Sequence, residues 1–246
     1  MSVTSQYKDA WEGFWSEAPD VPGEVFWDAE PAVTAGAHLA LFEPHVADPA
    51  LTLVDLGCGN GTQTRFLAGR FHQVLGVDLS AAAVEHARRQ DPSGEQRFRE
   101  LDAVDGDAVA QLHAELGDAN VYMRGVLHQC VEKDRQALAD TIATLVGERG
   151  RAFVVELGEA AGARLAALAQ GEAGPPAKLL PVLRHGIAPG AVADAEASRL
   201  FAAAGLDVIA EGELPLATTE YASDGSRLEL PSRWLVVGRG SGRDDG

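Results

Sequence analysis

Leu53-Val54-Asp55-Leu56-Gly57-Cys58-Gly59-Asn60-Gly61 is the stretch on which the reading of this chain turns. Leu51, Leu53, Val54 and Leu56 make a short apolar run of the kind that becomes a buried parallel strand. The run ends in glycines at three alternate positions, and a helical pattern begins at Thr62. A strand that enters a glycine loop and then a helix brings bare backbone close to a ligand. A second apolar run, Val74-Leu75-Gly76-Val77, ends in Asp78. A carboxylate at the tip of a second strand is placed to accept hydrogen bonds from ribose hydroxyls; a plain strand-end cap is the other reading of this acid. Together the two features imply a nucleoside site. The dinucleotide fingerprint requires glycine first and third, and glycine or alanine sixth. Counting from Gly57, the sixth residue is Thr62, and Asp55 puts an acid ahead of the loop. Both facts disfavour a pyrophosphate, and with it a nicotinamide-dependent oxidoreductase. A cationic ligand group suits Asp55 better.

Outward from this stretch, strand and helix patterns alternate. The glycine loop leads into a helix over about 62–70 with Phe66 and Leu67 toward the sheet, and a strand follows at 73–78. Ser80 is a good helix N-cap. Further strands are expected at 96–101, 120–124 and 151–156, with a polar helix at 107–116 and another helix after the fourth strand. A helix at 194–204 capped by Gly205 precedes two last strands, 206–209 and 233–237, with a polar hairpin tip at Ser223-Asp224-Gly225-Ser226 between them. Such alternation argues for a parallel sheet covered by helices on both faces. Residues 171–177 read as a breaker segment. The last residues, 241–246, are expected to form a disordered tail.

The first 46 residues read differently. Tyr7, Trp11, Phe14 and Trp15 recur at helical spacing, and Phe26 and Trp27 follow a Pro/Gly break. This aromatic face either packs on the domain or forms a lid over the ligand, with Trp15 against it; the two are compatible. A helix over 31–46 is expected to turn Val33, Ala37, Leu41 and Phe42 inward. The division expected is a cap at 1–46 and an α/β domain at 47–240, into which 158–195 is inserted on the substrate side.

The chain of 246 residues is long enough for one α/β domain with a full core. Its net charge of −17 argues against a nucleic-acid partner, because phosphate backbones reward a basic surface. No apolar run approaches a bilayer span, and the start of the chain has no signal-peptide core. Two cysteines, one of them inside the glycine loop, are not a disulfide framework, so a reduced, cytoplasmic protein is expected. No His/Cys/Asp cluster has metal spacing, and no metal is expected. Oligomeric state is left open.

The residues support a resemblance to a known family. Val54 to Thr62 resembles the first motif of class I S-adenosylmethionine-dependent methyltransferases, and Val74 to Leu79 their second-strand motif. Arg99 to Ala103 is similar to the segment that contacts adenine. Tyr122 to His128 and Gly150 to Glu156 resemble the fourth- and fifth-strand segments. The resemblance covers about 50–157 in order and, more weakly, the tail to about 239. It implies an α/β, doubly wound Rossmann-like fold: a mostly parallel seven-stranded sheet, an antiparallel strand near the C-terminus and an N-terminal helical cap.

The resemblance also implies S-adenosyl-L-methionine as cofactor. Gly57, Cys58 and Gly59 would wrap its amino acid portion, with no chemistry given to the Cys58 thiol. The helix start at Thr62 would face its carboxylate, and Asp55 its cationic side. Asp78 would take the ribose and Leu79 pack on adenine. Asp102 and the Ala103 amide would meet the adenine edge, unless Asp102 is an ordinary loop acid. His128, just past the fourth strand, is the leading general-base candidate, or else a histidine hydrogen-bonded at a helix start. Arg124 either holds a carboxylate or forms a salt bridge. Glu156 is a third catalytic candidate, or else completes the fold by hydrogen bonding.

The activity expected is methyl transfer to an O, N or carboxylate acceptor on a small molecule, in bacterial specialised metabolism. Two alternatives remain. One is an enzyme that uses another carbon of the same cofactor and releases methylthioadenosine. The other is a non-catalytic partner subunit, which the intact glycine loop and Asp78 disfavour.

Overall fold

The computed structural model describes residues 3–91, 94, 97–170, 174–190 and 192–240. Helix α1 (Val3–Glu17) and helix α2 (Ala35–Phe42) precede the first strand, β1 (Leu53–Leu56). Then α3 (Thr62–Leu67), β2 (Val74–Asp78), α4 (Ala81–Arg89), β3 (Arg97–Glu100), α5 (Gly106–Leu116), β4 (Asn120–Arg124), α6 (Arg135–Val146) and β5 (Ala152–Leu157) alternate. Helices α7 (Glu159–Ala169), α8 (Leu180–Arg184) and α9 (Glu196–Ala203) lead to β6 (Asp207–Glu213), β7 (Leu216–Tyr221), β8 (Arg227–Leu230) and β9 (Ser232–Gly238).

Among these, seven strands form one sheet in the order β3-β2-β1-β4-β5-β9-β6. Strands β1 to β5 pair in parallel, and β9 runs antiparallel to both of its neighbours. This is the expected doubly wound sheet, with its single antiparallel strand near the C-terminus. The central strands are buried along almost their whole length because helices cover both faces. Val54, Leu56, Met123 and Val154 pack with Val109, Leu138 and Ile142 on one side. Leu53, Tyr122, Phe153 and Val155 pack with Leu39, Phe42 and Leu67 on the other. The alternation follows from the two-residue period of a strand. Each fully buried Leu, Val or Phe contributes about 1.5–3 kcal/mol.

Chain order reverses beside β1, which lies between β2 and β4. At such a switch point the loops after adjacent strands lead away to opposite faces and leave a crevice at their carboxyl ends. Ser80 caps α4 by accepting from the Ala83 N–H, and Gly205, at φ +78°, ends α9.

Several expectations need correcting. Helix α2 turns Ala35, His38, Leu39 and Phe42 inward, while Val33 is 46% exposed in a preceding 3₁₀ turn. Pro31 starts that turn, which shifts the phase of the helix behind it. The hairpin tip at 223–226 does not join the last two strands of the sheet; it closes a separate ribbon, β7–β8. Helix α3 stops at Leu67, short of residue 70. Residues 171–173 of the breaker segment and the tail at 241–246 lie outside the described residues.

Candidate active site

A cavity of about 380 Å³ opens where the reversal occurs. Its floor is the carboxyl ends of β1, β2, β4 and β5: Leu56 to Gly59, Val77 to Leu79, Arg124 to Val126, and Leu157. Two glycines let the backbone reach it. Gly57 adopts φ +77°, and a Cβ there would lie 2.5 Å from Val126 Cγ2. Gly59 adopts φ +53°, and a Cβ there would lie 2.7 Å from the Trp15 ring. Only glycine takes both the left-handed conformation and the close approach without strain. The roof is α1, which contributes Tyr7, Trp11 and Trp15.

Asp78 stands at one end of the cavity. Its Oδ2 accepts from the Gly59 N–H at 2.9 Å and its Oδ1 from the Ser80 N–H at 3.0 Å. Burial raises its carboxyl above the usual range, and these N–H groups pull it back. A carboxylate has roughly four lone-pair positions, so room remains for two further donors. Leu79, Asp102, Ala103 and Trp15 also line the cavity, as do Gly57, Cys58, Gly59, Arg124 and His128. Asp102 accepts from the Val104 N–H at 3.1 Å. The Cys58 thiol is buried, which pushes it well above its ordinary value and keeps it protonated.

Asp55, Thr62 and Glu156 do not line the cavity. Asp55 points into the layer beneath it and accepts from the Thr64 hydroxyl at 2.6 Å. Burial pushes its carboxyl up to about 6, with Thr64 and Arg124 acting against the rise and Asp78 adding to it. The unfolded value is about 3.9, so the folded state holds the extra proton between these values. This group's contribution to stability is therefore full at low pH and lost as pH rises through about 6. Asp55→Asn escapes that loss. Its melting temperature relative to the parent is expected to rise between pH 5 and pH 8, as thermal denaturation will show; a difference that falls with pH removes the assignment.

Thr62 faces the lid. Its hydroxyl and the Asn60 amide both donate to Asp28 Oδ2, at 3.0 and 2.7 Å. Asp28 is buried, and sequence reasoning missed it because nothing local ties residue 28 to residue 60. Glu12 was missed for the same reason. From α1 its carboxylate accepts the Ser80 hydroxyl at 2.7 Å and the Ala82 N–H at 3.1 Å, so it caps α4 from another element. The roof is thus held to the glycine loop and to α4 by acids from the first 30 residues.

Glu156 is enclosed by donors. It accepts the Val126 and Leu127 N–H groups at 2.9 and 2.8 Å, the His128 N–H at 3.3 Å and His128 Nδ1 at 2.7 Å. It caps the short turn at Leu127–Gln129 and fixes the imidazole. Because a carboxylate only accepts, the neutral ring carries its proton on Nδ1 and leaves the Nε2 lone pair available. Tyr7 donates to Gln129 Oε1 at 3.2 Å beside this group, and burial holds the phenol far above its ordinary value. Arg124 donates from Nη1 to the Trp27 carbonyl at 2.8 Å, a lid contact and not a salt bridge.

The pattern of the family described as "Methyltransferase domain" matches residues 53–150. A solved S-adenosylmethionine-dependent methyltransferase from Anabaena variabilis is 32% identical over 95% of each chain, with a TM-score of 0.87. A geranyl diphosphate C-methyltransferase from Streptomyces coelicolor, solved with S-adenosyl-L-homocysteine, is 18% identical over 95% of this chain and 98% of its own, with a TM-score of 0.58. The magnesium protoporphyrin IX methyltransferase from Synechocystis, also solved with S-adenosylhomocysteine, is 18% identical over 94% of each chain, with a TM-score of 0.57. These last two share the fold. No curated protein compared with the chain matches it. The chain belongs to the class I S-adenosylmethionine-dependent methyltransferase family, and S-adenosylmethionine is its cofactor. The cavity fits that group: a strand-end carboxylate with free lone pairs, bare backbone at Gly57 and Gly59, apolar Leu79 and Ala103, and aromatic rings suited to a sulfonium.

Proposed function

We propose that the protein methylates a small molecule. The observation that carries this reading is a single cavity that joins the Asp78 end to His128 under an aromatic roof. Asp78 holds the ribose, Leu79 and Ala103 border the adenine, and Asp102 accepts from its amino group. Gly57, Cys58 and Gly59 give their backbone to the amino acid portion, and Arg124 offers its carboxylate a positive charge. Trp15 closes over the loop. Asp55 supports the site from the layer beneath, through Thr64, and Thr62 supports it from the lid side, through Asp28. The cap is α1 and the segment behind it, and residues 158–195 supply much of the far wall.

Bound S-adenosylmethionine supplies a methyl carbon activated by a positive sulfur. The chain aligns an acceptor with that carbon and excludes water. Alignment alone is worth roughly 7–11 kcal/mol at best. His128 Nε2 takes the acceptor's proton, and Glu156 orients the ring. No helix among the described residues is long and apolar enough to cross a membrane. Both cysteines are free thiols, which fits a reducing cytoplasm, and a bacterial specialised pathway would use such chemistry.

Titration calorimetry with S-adenosylhomocysteine tests the reading. Saturable binding is expected, and the absence of heat at millimolar ligand would reject it. With an acceptor present, release of S-adenosylhomocysteine identifies methyl transfer, whereas methylthioadenosine identifies use of another carbon.

A further inference from the structure

We infer that the acceptor is an uncharged, largely apolar molecule that carries one hydroxyl to His128; this rests on the methyltransferase reading above. The wall opposite the cofactor end would receive the body of the acceptor. That wall belongs to segments without a family motif: α7, α8, residues 187–189 and the β7–β8 ribbon. They converge on the lid. Thr219 donates to the Phe26 carbonyl at 2.9 Å from its N–H, and Lys178 Nζ donates to the Gly23 carbonyl at 2.7 Å. Leu179, Val182, Ile187 and Leu230 pack with Phe14, Trp15 and Phe26 as one apolar cluster.

Among the described residues, the side chains these segments bring to the cavity carry no charge. Thr218 alone is polar, and its hydroxyl donates to the Leu228 carbonyl at 2.7 Å. The charged groups of the cavity come from elsewhere: Asp28, Asp78, Asp102, Asp134 and Arg124. Four of these five are acids, which repel an anion. Among the described residues the one cation lining the cavity, Arg124, is committed to the cofactor's carboxylate in the reading above and also holds the lid through the Trp27 carbonyl. A carboxylate or phosphate on the body of the acceptor would thus lose its water without gaining a partner, and burying such a charge unpaired is prohibitive. An apolar body loses nothing and gains contact with leucine, isoleucine and tryptophan. Polar groups in a pocket fix orientation, and here they gather at Tyr7, His128 and Gln129. The nucleophile is therefore placed at that end: the hydroxyl oxygen bonds to the methyl carbon, its proton passes to His128 Nε2, and sulfur keeps the electron pair.

Equilibrium dialysis of the S-adenosylhomocysteine-bound protein with 2-naphthol, 2-naphthoate and 2-naphthyl phosphate tests this. The three probes share one apolar body and differ in charge. The neutral hydroxyl compound is expected to bind at least roughly tenfold more tightly than either anion. Equal or tighter binding of an anion, or no binding of 2-naphthol, overturns the inference. Leu183→Lys and Leu165→Lys place a cation on this wall at positions exposed or half-buried enough to keep the fold. Either is expected to narrow the preference for the neutral probe; a preference unchanged in both variants shows that this wall does not meet the acceptor. Failure of S-adenosylhomocysteine itself to bind is seen separately by calorimetry, and rejects the methyltransferase reading instead.

Discussion

Asp78→Ala is expected to weaken S-adenosylhomocysteine binding by roughly 10²–10⁴-fold in titration calorimetry. The magnitude follows from two charge-assisted hydrogen bonds to ribose hydroxyls, at about 1.5–3 kcal/mol each, with about 1.4 kcal/mol for each tenfold change. The carboxylate has room for both because the Gly59 and Ser80 N–H groups engage one oxygen each and leave lone pairs free. Those N–H groups also mean that the alanine variant loses more than a ligand contact. Their bonds brace the turn after β2 against the glycine loop, and leaving them unpaired costs about 1–3 kcal/mol of stability. Asp78→Asn separates the two effects. Its amide oxygen still accepts from the backbone, but its –NH₂ is a donor facing a donor. It should therefore stay closer to the parent in melting temperature and still lose most of its affinity. An asparagine variant that binds as the parent does would remove the ribose assignment.

The parts of this site that could be read from the sequence are those in which neighbours in the chain are also neighbours in space. Gly57, Gly59 and Asp78 follow strands whose apolar runs are short and continuous, and a strand end fixes where the next residue must go. The same holds for the Ser80 cap. The sheet itself was legible because burial on both faces leaves a run without alternation, as in Val74 to Val77. What escaped were contacts between distant segments. Asp28 meets Asn60 and Thr62, and Glu12 meets Ser80, across sequence separations that no local pattern encodes. Thr62 and Asp55 were expected at the ligand because they border the loop. A strand's side chains alternate in direction, however, and Asp55 points away from the cavity toward Thr64. The β7–β8 ribbon was missed because only its polar tip gives a turn signal. Val33 misled because Pro31 starts a 3₁₀ turn before α2, and the inward face then falls on Ala35, His38 and Leu39.

His128→Ala is expected to lower kcat by about 10²–10⁴-fold, the usual contribution of a positioned general base, with KM for the acceptor and affinity for S-adenosylhomocysteine nearly unchanged. The split follows from geometry. His128 lines the cavity and its ring is held from behind by Glu156, so removing it takes away a proton acceptor and little binding surface. Added imidazole should restore part of the lost rate, because the truncated side chain leaves a space that a free ring can enter. A merely structural histidine gives no such rescue. Glu156→Gln probes the orienting partner. The glutamine oxygen can accept from two of the four donors that now converge on Glu156, and its –NH₂ opposes the rest. Stability should fall along with the rate, as expected for a residue that both caps the Leu127–Gln129 turn and selects the tautomer of the ring. If His128→Ala turns over acceptor as fast as the parent, alignment alone carries the reaction and the dyad belongs to the fold.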